Sequence, residues 1–189
     1  MQENELLQYT VTALRDAEIN YLVTGSMASM YYGEARMTRD MDILVWLTSG
    51  DDRLPFLLKR FSQPEFYLSP DAAAQAISVG GQFNVLHVPS SFKIDFMVAQ
   101  NSLYDRTRLN RPHIGDLPGA RDVQIAAPED VMLKKMQHYK QGGSEKHLRD
   151  ITGIMKISGE LVDIAYVEHW ADELDVREVW DAICRRLGR

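Results

Sequence analysis

Over residues 3 to 18 the apolar positions Leu6, Leu7, Val11, Leu14 and Ala17 recur at helical spacing, and Asn20 closes the segment. "YLVTG" is a short apolar run that predicts a strand ending at Gly25. Ser26 is placed to cap a helix over "MASMYYGEAR", whose natural end is Gly33. "DMDILVWL", residues 40 to 47, predicts a strand, "SGDD" a turn, and residues 52 to 62 a helix with Leu54, Leu57, Leu58 and Phe61 inward. "SPDAAAQAI" opens with a capping pattern and predicts a short helix. "QFNVLHV" and "FKIDFMV" predict two strands, and the "PSS" between them makes an antiparallel hairpin the simplest pairing. Residues 101 to 127 are less regular: a loop bearing Arg106, Arg108 and Arg111, then "DLPGARDVQIAA" as a short hairpin.

At Pro128 the texture changes. "PEDVMLKKMQHYKQGG" has proline and acids in its first turn and glycines past its end, the signature of a helix. "SEKHLRDITGIMKI", "VDIAYVEHWADEL" and "VREVWDAICRRL" predict three more. The reading is therefore an α/β fold. A small mixed sheet backed by helices occupies residues 1–127, and a C-terminal helical bundle over residues 128–189 packs on it as part of one compact unit.

Composition narrows the class. With 189 residues, 45% hydrophobic and 25% charged, the chain suits one folded domain, or a domain with a small appendage. A net charge of -6 and a pI near 5.4 argue against strong nonspecific binding to nucleic acid, which needs clustered Lys and Arg. The single cysteine, Cys184, permits no intrachain disulfide and suits a reducing compartment. The polar N-terminus is not a signal peptide, and no apolar run approaches the roughly 18 residues of a membrane span. These features place the protein in the cytoplasm, away from membranes.

The candidate chemistry centres on carboxylates. Alternate residues of a strand share a face, so Asp40 and Asp42 point one way and Met41, Ile43 and Val45 the other. Their Cα positions lie about 7 Å apart, which lets both reach one cation or a close pair. Two carboxylates together need a positive neighbour, and Mg²⁺ prefers such oxygen ligands. The bland alternative is a cap and a solvated strand edge. In "FKIDFMV", Asp95 shares a face with Lys93 and Met97, opposite Phe92, Ile94, Phe96 and Val98. A buried acid there needs a partner: Lys93, or a neighbouring strand carrying Asp40 and Asp42 with a metal. Gly25 and Ser26 stand where a strand passes into a helix, a place that offers backbone N–H groups to a phosphate or simply a cap.

Other residues keep two readings. Lys135 shares a helical stripe with Met132, Met136 and Tyr139, and either snorkels at the edge of the core or binds a triphosphate. Arg36 and Arg39 either neutralise the acids or contact phosphate. Arg106, Arg108 and Arg111 are a solvated charge run or a patch for an anionic acceptor. The five histidines show no metal-ligand spacing, and Ser26 lacks a nucleophile-elbow surround.

Taken in order, Thr24-Gly25-Ser26, Asp40-x-Asp42 and Asp95 resemble the signature of the nucleotidyltransferase superfamily, the fold shared with DNA polymerase beta. Thirteen residues separate Ser26 from Asp40, a spacing similar to that of bacterial nucleotidyltransferases related to abortive-infection toxins. That branch's "G-x-x-R-x-T-x-D-x-D" is met by Gly33, Arg36, Thr38, Asp40 and Asp42, and its helical block resembles the segment holding Lys135 and Asp150. His147 and Gly153 stand where those relatives tend to carry Arg and Asp.

The resemblance implies Mg²⁺-dependent transfer of a nucleoside monophosphate from a nucleoside triphosphate, ATP among them, to a hydroxyl-bearing acceptor. The acceptor would be a protein, a small molecule or tRNA. Asp40 and Asp42 would hold two Mg²⁺ ions, with Asp95 as a further metal ligand or as base. Gly25, Ser26, Arg36, Thr38 and Lys135 would bind the nucleotide. Partners would be a second copy of the chain or a cognate toxin or antitoxin. The alternative is an inactive module of the same fold that binds nucleotide or a partner, as one half of a toxin–antitoxin pair.

Overall fold

A computed structural model describes residues 3–38 and 40–188, so the expectation for Arg39 lies outside the described residues. Two compact units emerge, Met1–Thr24 with Thr38–Ile125, and Gly25–Met37 with Ala126–Arg189.

The first unit is built on a seven-stranded mixed sheet. It contains α1 (Glu3–Asp16), β1 (Tyr21–Val23), β2 (Asp40–Val45), α3 (Leu54–Arg60), β3 (Phe66–Tyr67) and α4 (Pro70–Val79). There follow β4 (Gln82–His87), β5 (Phe92–Val98), α5 (Leu103–Leu109), β6 (His113–Leu117) and β7 (Ala120–Ile125). The strand order is β3-β4-β5-β2-β1-β7-β6, parallel at β5/β2 and β1/β7 and antiparallel elsewhere. The α/β reading and the hairpin of β4 with β5 therefore hold.

Register divides the central strands into two chemically different faces. Met41, Ile94 and Val85 lie across from one another, as do Ile43, Phe96 and Phe83, and all six are buried. Phe61 and Phe66 extend this apolar face through edge contacts, Phe61 meeting Phe96 with ring centroids 5.8 Å apart. The stripe of α1 is buried as the helical spacing requires, from Leu6 to Leu14. The opposite face carries Asp40 beside Lys93, Asp42 beside Asp95, and Asn84 beside Asp95. Period-two alternation thus puts Met41, Ile43, Ile94 and Phe96 on one side and leaves the acids together on the other, which Leu44 and Met97 share.

Two stretches correct the sequence reading. Residues 103–109 form a helix, α5, where a loop was expected. Ser102 caps it by accepting a hydrogen bond from the Asp105 N–H at 3.0 Å, and Asp105 Oδ2 accepts from the Gln100 N–H. Arg106 and Arg108 lie on this helix. The two-residue strand β3 was also missed, being too short to show a period.

The second unit is helical. It comprises α2 (Gly25–Tyr32), α6 (Pro128–Gly142), α7 (Glu145–Ile157), a 3-10 turn (Gly159–Leu161), α8 (Ile164–Glu173) and α9 (Arg177–Leu187). The four helices expected after Pro128 are all present, and α2 packs with α6 and α7. Gly33 lets α2's end approach the backbone of α7: a Cβ there would stand 2.9 Å from the Ser29 carbonyl oxygen and 3.0 Å from the Ile154 nitrogen. Ser158 donates to the Tyr32 carbonyl at 2.6 Å and ties the same end down. Among the described residues, no helix is long and apolar enough to cross a membrane.

Candidate functional site

The acid face of the first unit is set by β2 and β5. Their parallel pairing puts Asp42 directly across from Asp95, about 5 Å away by strand spacing, with Asp40 one alternate position along the same face. Asp40 and Asp42 are half-buried, whereas Asp95 is only 5% exposed. The Thr38 hydroxyl donates to Asp40 Oδ1 at 2.6 Å and orients that carboxylate. Lys93 Nζ reaches Asp95 Oδ2 at 2.7 Å. The hydrogen bond to Asp95 raises the Lys93 ammonium above its usual range against the cost of burial, and the fields of Asp95, Asp40 and Asp42 add to it.

Among the described residues of these rungs, Asp40, Asp42 and Asp95 share the face with one cation, Lys93. The other oxygen of Asp95, Oδ1, is buried without a hydrogen-bond partner, a costly state for a carboxylate. The donors are all oxygens, which suits a hard cation such as Mg²⁺. Among the described residues, no three His, Cys, Asp or Glu side chains are gathered closely enough to hold a metal as they stand, and Asp95 Oδ2 is turned to Lys93. Asp40, Asp42 and Asp95 are nonetheless the residues that fit a divalent ion.

The second unit gathers the opposite charge balance. Gly25 opens α2 with φ +57, a conformation that favours glycine. Ser26 is buried, and its hydroxyl oxygen accepts from Arg36 Nη2 at 2.6 Å. The same guanidinium forks onto Asp150, with Nε and Nη2 each 3.3 Å from a carboxylate oxygen. Lys135, 4% exposed, donates to Asp150 Oδ2 at 2.6 Å, so its ammonium is buried against an acid instead of being carried out to water.

Burial pushes the Lys135 ammonium below its usual range, opposed by Asp150. Burial also resists ionisation of Asp150, but Lys135 and then Arg36 outweigh it and hold that carboxyl low. Beside this network lies a cavity of about 280 Å³, lined in part by Ser29, Glu34, Arg36, Lys146, Arg149 and Asp150.

His138 and His147 both feel the charge of Lys135. His147 stands 5.4 Å from His138, ring centroid to centroid. Loss of water, then Lys134, His147 and Lys135, hold the His138 imidazole down at about 4. Loss of water and Lys135 push His147 down as well. Both rings are therefore neutral near neutrality.

The structure thus sorts the residues singled out from sequence. Asp40, Asp42, Asp95 and Thr38 lie together on one face of the first unit; Gly25, Ser26, Arg36 and Lys135 belong to the second. The arginine stretch does not form an exposed row. Arg108 is buried and paired with Asp105 at 2.6 Å, and Arg106 bonds Asn101 Oδ1 through Nε at 2.8 Å. Sequence reasoning named Asp150 without its contacts, because Arg36 and Asp150 are 114 positions apart. It also missed α5, for which "Ser102-x-x-Asp105" was the available signal.

Solved structures share the fold. The crystal structure of ANT(2")-Ia in complex with adenylyl-2"-tobramycin is 13% identical, with a TM-score of 0.59 over 96% of this chain and 98% of that one. A solution structure of ANT(2")-Ia, described as an antibiotic-resistance factor, is 12% identical with a TM-score of 0.53 over 98% and 95%. An antigenic nucleotidyltransferase-like protein from Paracoccidioides brasiliensis is 19% identical with a TM-score of 0.50 over 82% and 75%. At these identities the likeness establishes the fold, that of a nucleotidyltransferase.

The family model for the nucleotidyl transferase AbiEii toxin, type IV TA system, matches residues 12–183, and the chain belongs to this nucleotidyltransferase family. A comparison with curated proteins finds no match.

Proposed function

We propose that this protein catalyses Mg²⁺-dependent transfer of a nucleoside monophosphate from a nucleoside triphosphate to a hydroxyl-bearing acceptor. The observation that carries the reading is Asp42 across from Asp95 on adjacent parallel strands, with Asp40 on the same face and one buried Asp95 oxygen unpartnered. A divalent ion bound by Asp40, Asp42 and Asp95 would supply charge neutralisation at the reacting phosphate.

The chain's own residues take the remaining roles. The Asp95 carboxylate accepts the proton of the acceptor hydroxyl. The acceptor oxygen then forms a bond to the α-phosphorus, the bond to the bridging oxygen breaks, and pyrophosphate leaves. Thr38 keeps Asp40 oriented through the 2.6 Å hydrogen bond. The first turn of α2, from Gly25 and Ser26, offers N–H groups that lack intrahelical partners to a phosphate. Arg36 and Lys135 give the second unit two cations against Asp150, an excess suited to anionic phosphate oxygens.

The partner class that fits a toxin family is a cognate antitoxin, and the compartment that fits an NTP substrate is the cytoplasm. The test is incubation with Mg²⁺ and each α-labelled nucleoside triphosphate, followed by a screen for label on protein, tRNA and small molecules. Label transfer that Asp42→Asn abolishes is the expected result. Tight nucleotide binding with no transfer to any acceptor class would replace this reading with that of a binding module.

A further inference from the structure

Lys93 stands out on the acid face. Of the rungs formed by β4, β5 and β2 there, those holding Asp40, Asp42, Asp95 and Asn84 contribute no other cation among the described residues. Its register position is directly across from Asp40 and two residues before Asp95. Its ammonium holds Asp95 Oδ2 at 2.7 Å, yet its side chain is 44% exposed while that of Asp95 is 7% exposed. A buried carboxylate is thus gripped at one oxygen by a half-exposed flexible chain, and its other oxygen is buried and unpartnered.

We infer that Lys93 is the resident counter-charge of this face, occupying Asp95 in the metal-free protein and yielding it when a divalent cation binds. The inference rests on the metal reading proposed above. Three acids on neighbouring rungs repel one another, and without a cation the sheet would bear that repulsion unrelieved. An ammonium relieves part of it at no coordination cost. Lysine suits a reversible occupant because its compact charge rides on a four-carbon stem that can swing to water. Arginine would clamp the carboxylate through two parallel bonds and resist displacement.

The consequence is competition: a divalent ion must displace Lys93, so the bare protein binds it weakly. Phosphate oxygens that arrive with a nucleotide add ligands and negative charge, and tilt the exchange toward the metal. Lys93 is on this account a positioning residue that sets when the acid face loads. It is not a group that touches the reacting atoms.

The test is Mn²⁺ titration of the full chain, read by the electron paramagnetic resonance of unbound Mn²⁺, on wild type, Lys93→Met, Lys93→Arg and Asp42→Asn. Thermal melts in chelator and in Mg²⁺ accompany it. Lys93→Met should bind Mn²⁺ about fivefold more tightly, the fold-change expected for removing a half-exposed ion pair. It should melt lower than wild type in chelator, with the gap closing in Mg²⁺. Lys93→Arg should bind Mn²⁺ more weakly than wild type, and this arm decides the matter if Lys93→Met does not fold.

Mn²⁺ affinity unchanged in both Lys93 variants, with Asp42→Asn still abolishing binding, would overturn the role of Lys93 and leave the metal reading intact. A melting deficit of equal size with and without Mg²⁺ would do the same, since it marks a plain structural ion pair. No Mn²⁺ binding to wild type or to either Lys93 variant would overturn both.

Discussion

The two charged regions of this molecule are mirror images in sign. On the sheet, Asp40, Asp42 and Asp95 outnumber Lys93. In the helical unit, Arg36 and Lys135 outnumber Asp150. Among the described residues named here, each region is partly self-neutralised, with acids the more numerous in one and cations in the other. The difference lies in what completes each. An acid excess with a buried, unpartnered oxygen asks for a hard cation, and a cation excess beside a helix start asks for an anion. A metal and a phosphate are the two ligands a nucleotidyltransferase brings together. Neither region would indicate this chemistry alone, because each also contains an internal ion pair that would satisfy a purely structural account.

The sharpest separation of the two regions comes from removing one acid from each. Asp42→Asn should lower nucleotidyl transfer by at least about a hundredfold, in line with the loss of a principal electrostatic group, while leaving the melting temperature unchanged or higher. Asp150→Asn should act on the fold itself. It leaves the buried Lys135 ammonium without its acid, and urea denaturation should register a loss of about 3 kcal/mol. Replacing both members by apolar residues, Lys135→Met with Asp150→Leu, should recover much of that loss. If Asp42→Asn destabilises as strongly as Asp150→Asn, the acid face is structural and the contrast fails.

A smaller effect is expected at Gly33. Gly33→Ala puts a Cβ against the Ser29 carbonyl and the α7 backbone, and should cost about 1–3 kcal/mol by urea denaturation through strain between α2 and α7. The helical unit should also carry an acid-sensitive signature. His138 takes up its proton only near pH 4 in the folded chain, against 6.5 for an ordinary histidine. Between those values the unfolded chain binds more protons. Stability from this group is complete above pH 6.5 and falls as the pH drops toward 4. The denaturation midpoint measured across that window should decline in wild type and decline less in His138→Gln. The least effect is expected at Arg106, an exposed residue bonded to Asn101, where Arg106→Ala should change stability by under about 0.5 kcal/mol and leave transfer intact.

How much of this was legible in the sequence depends on the range of the interaction. The facing of Asp40 and Asp42, and of Asp95 with Lys93, follows from the period of a strand, so it could be read from "DMDILV" and "FKIDFMV". That β2 and β5 are parallel neighbours with Asp42 level with Asp95 could not, because register depends on pairing across the sheet. Lys93 was visible as a partner for Asp95 since it is two residues away on the same strand. The contact of Arg36 with Asp150 was not visible, because it closes a loop of over a hundred residues, and that of Arg36 with Ser26, ten residues apart, depends on how the chain turns after α2.

The missed helix α5 has a different cause. Its apolar positions are too few to show a helical stripe, and only Tyr104 among its large apolar residues is buried. The cap at Ser102 was the local evidence for it.

The central claim is that the acid face holds a divalent cation for nucleotide chemistry. The most direct test is a crystal of the protein grown with Mn²⁺ and a non-hydrolysable nucleoside triphosphate, read by anomalous scattering at the manganese edge. The account requires an anomalous peak coordinated by Asp42 and by Asp95, with Lys93 withdrawn from Asp95 Oδ2. Nucleotide bound with no manganese on these carboxylates, and Lys93 still in place, would contradict it.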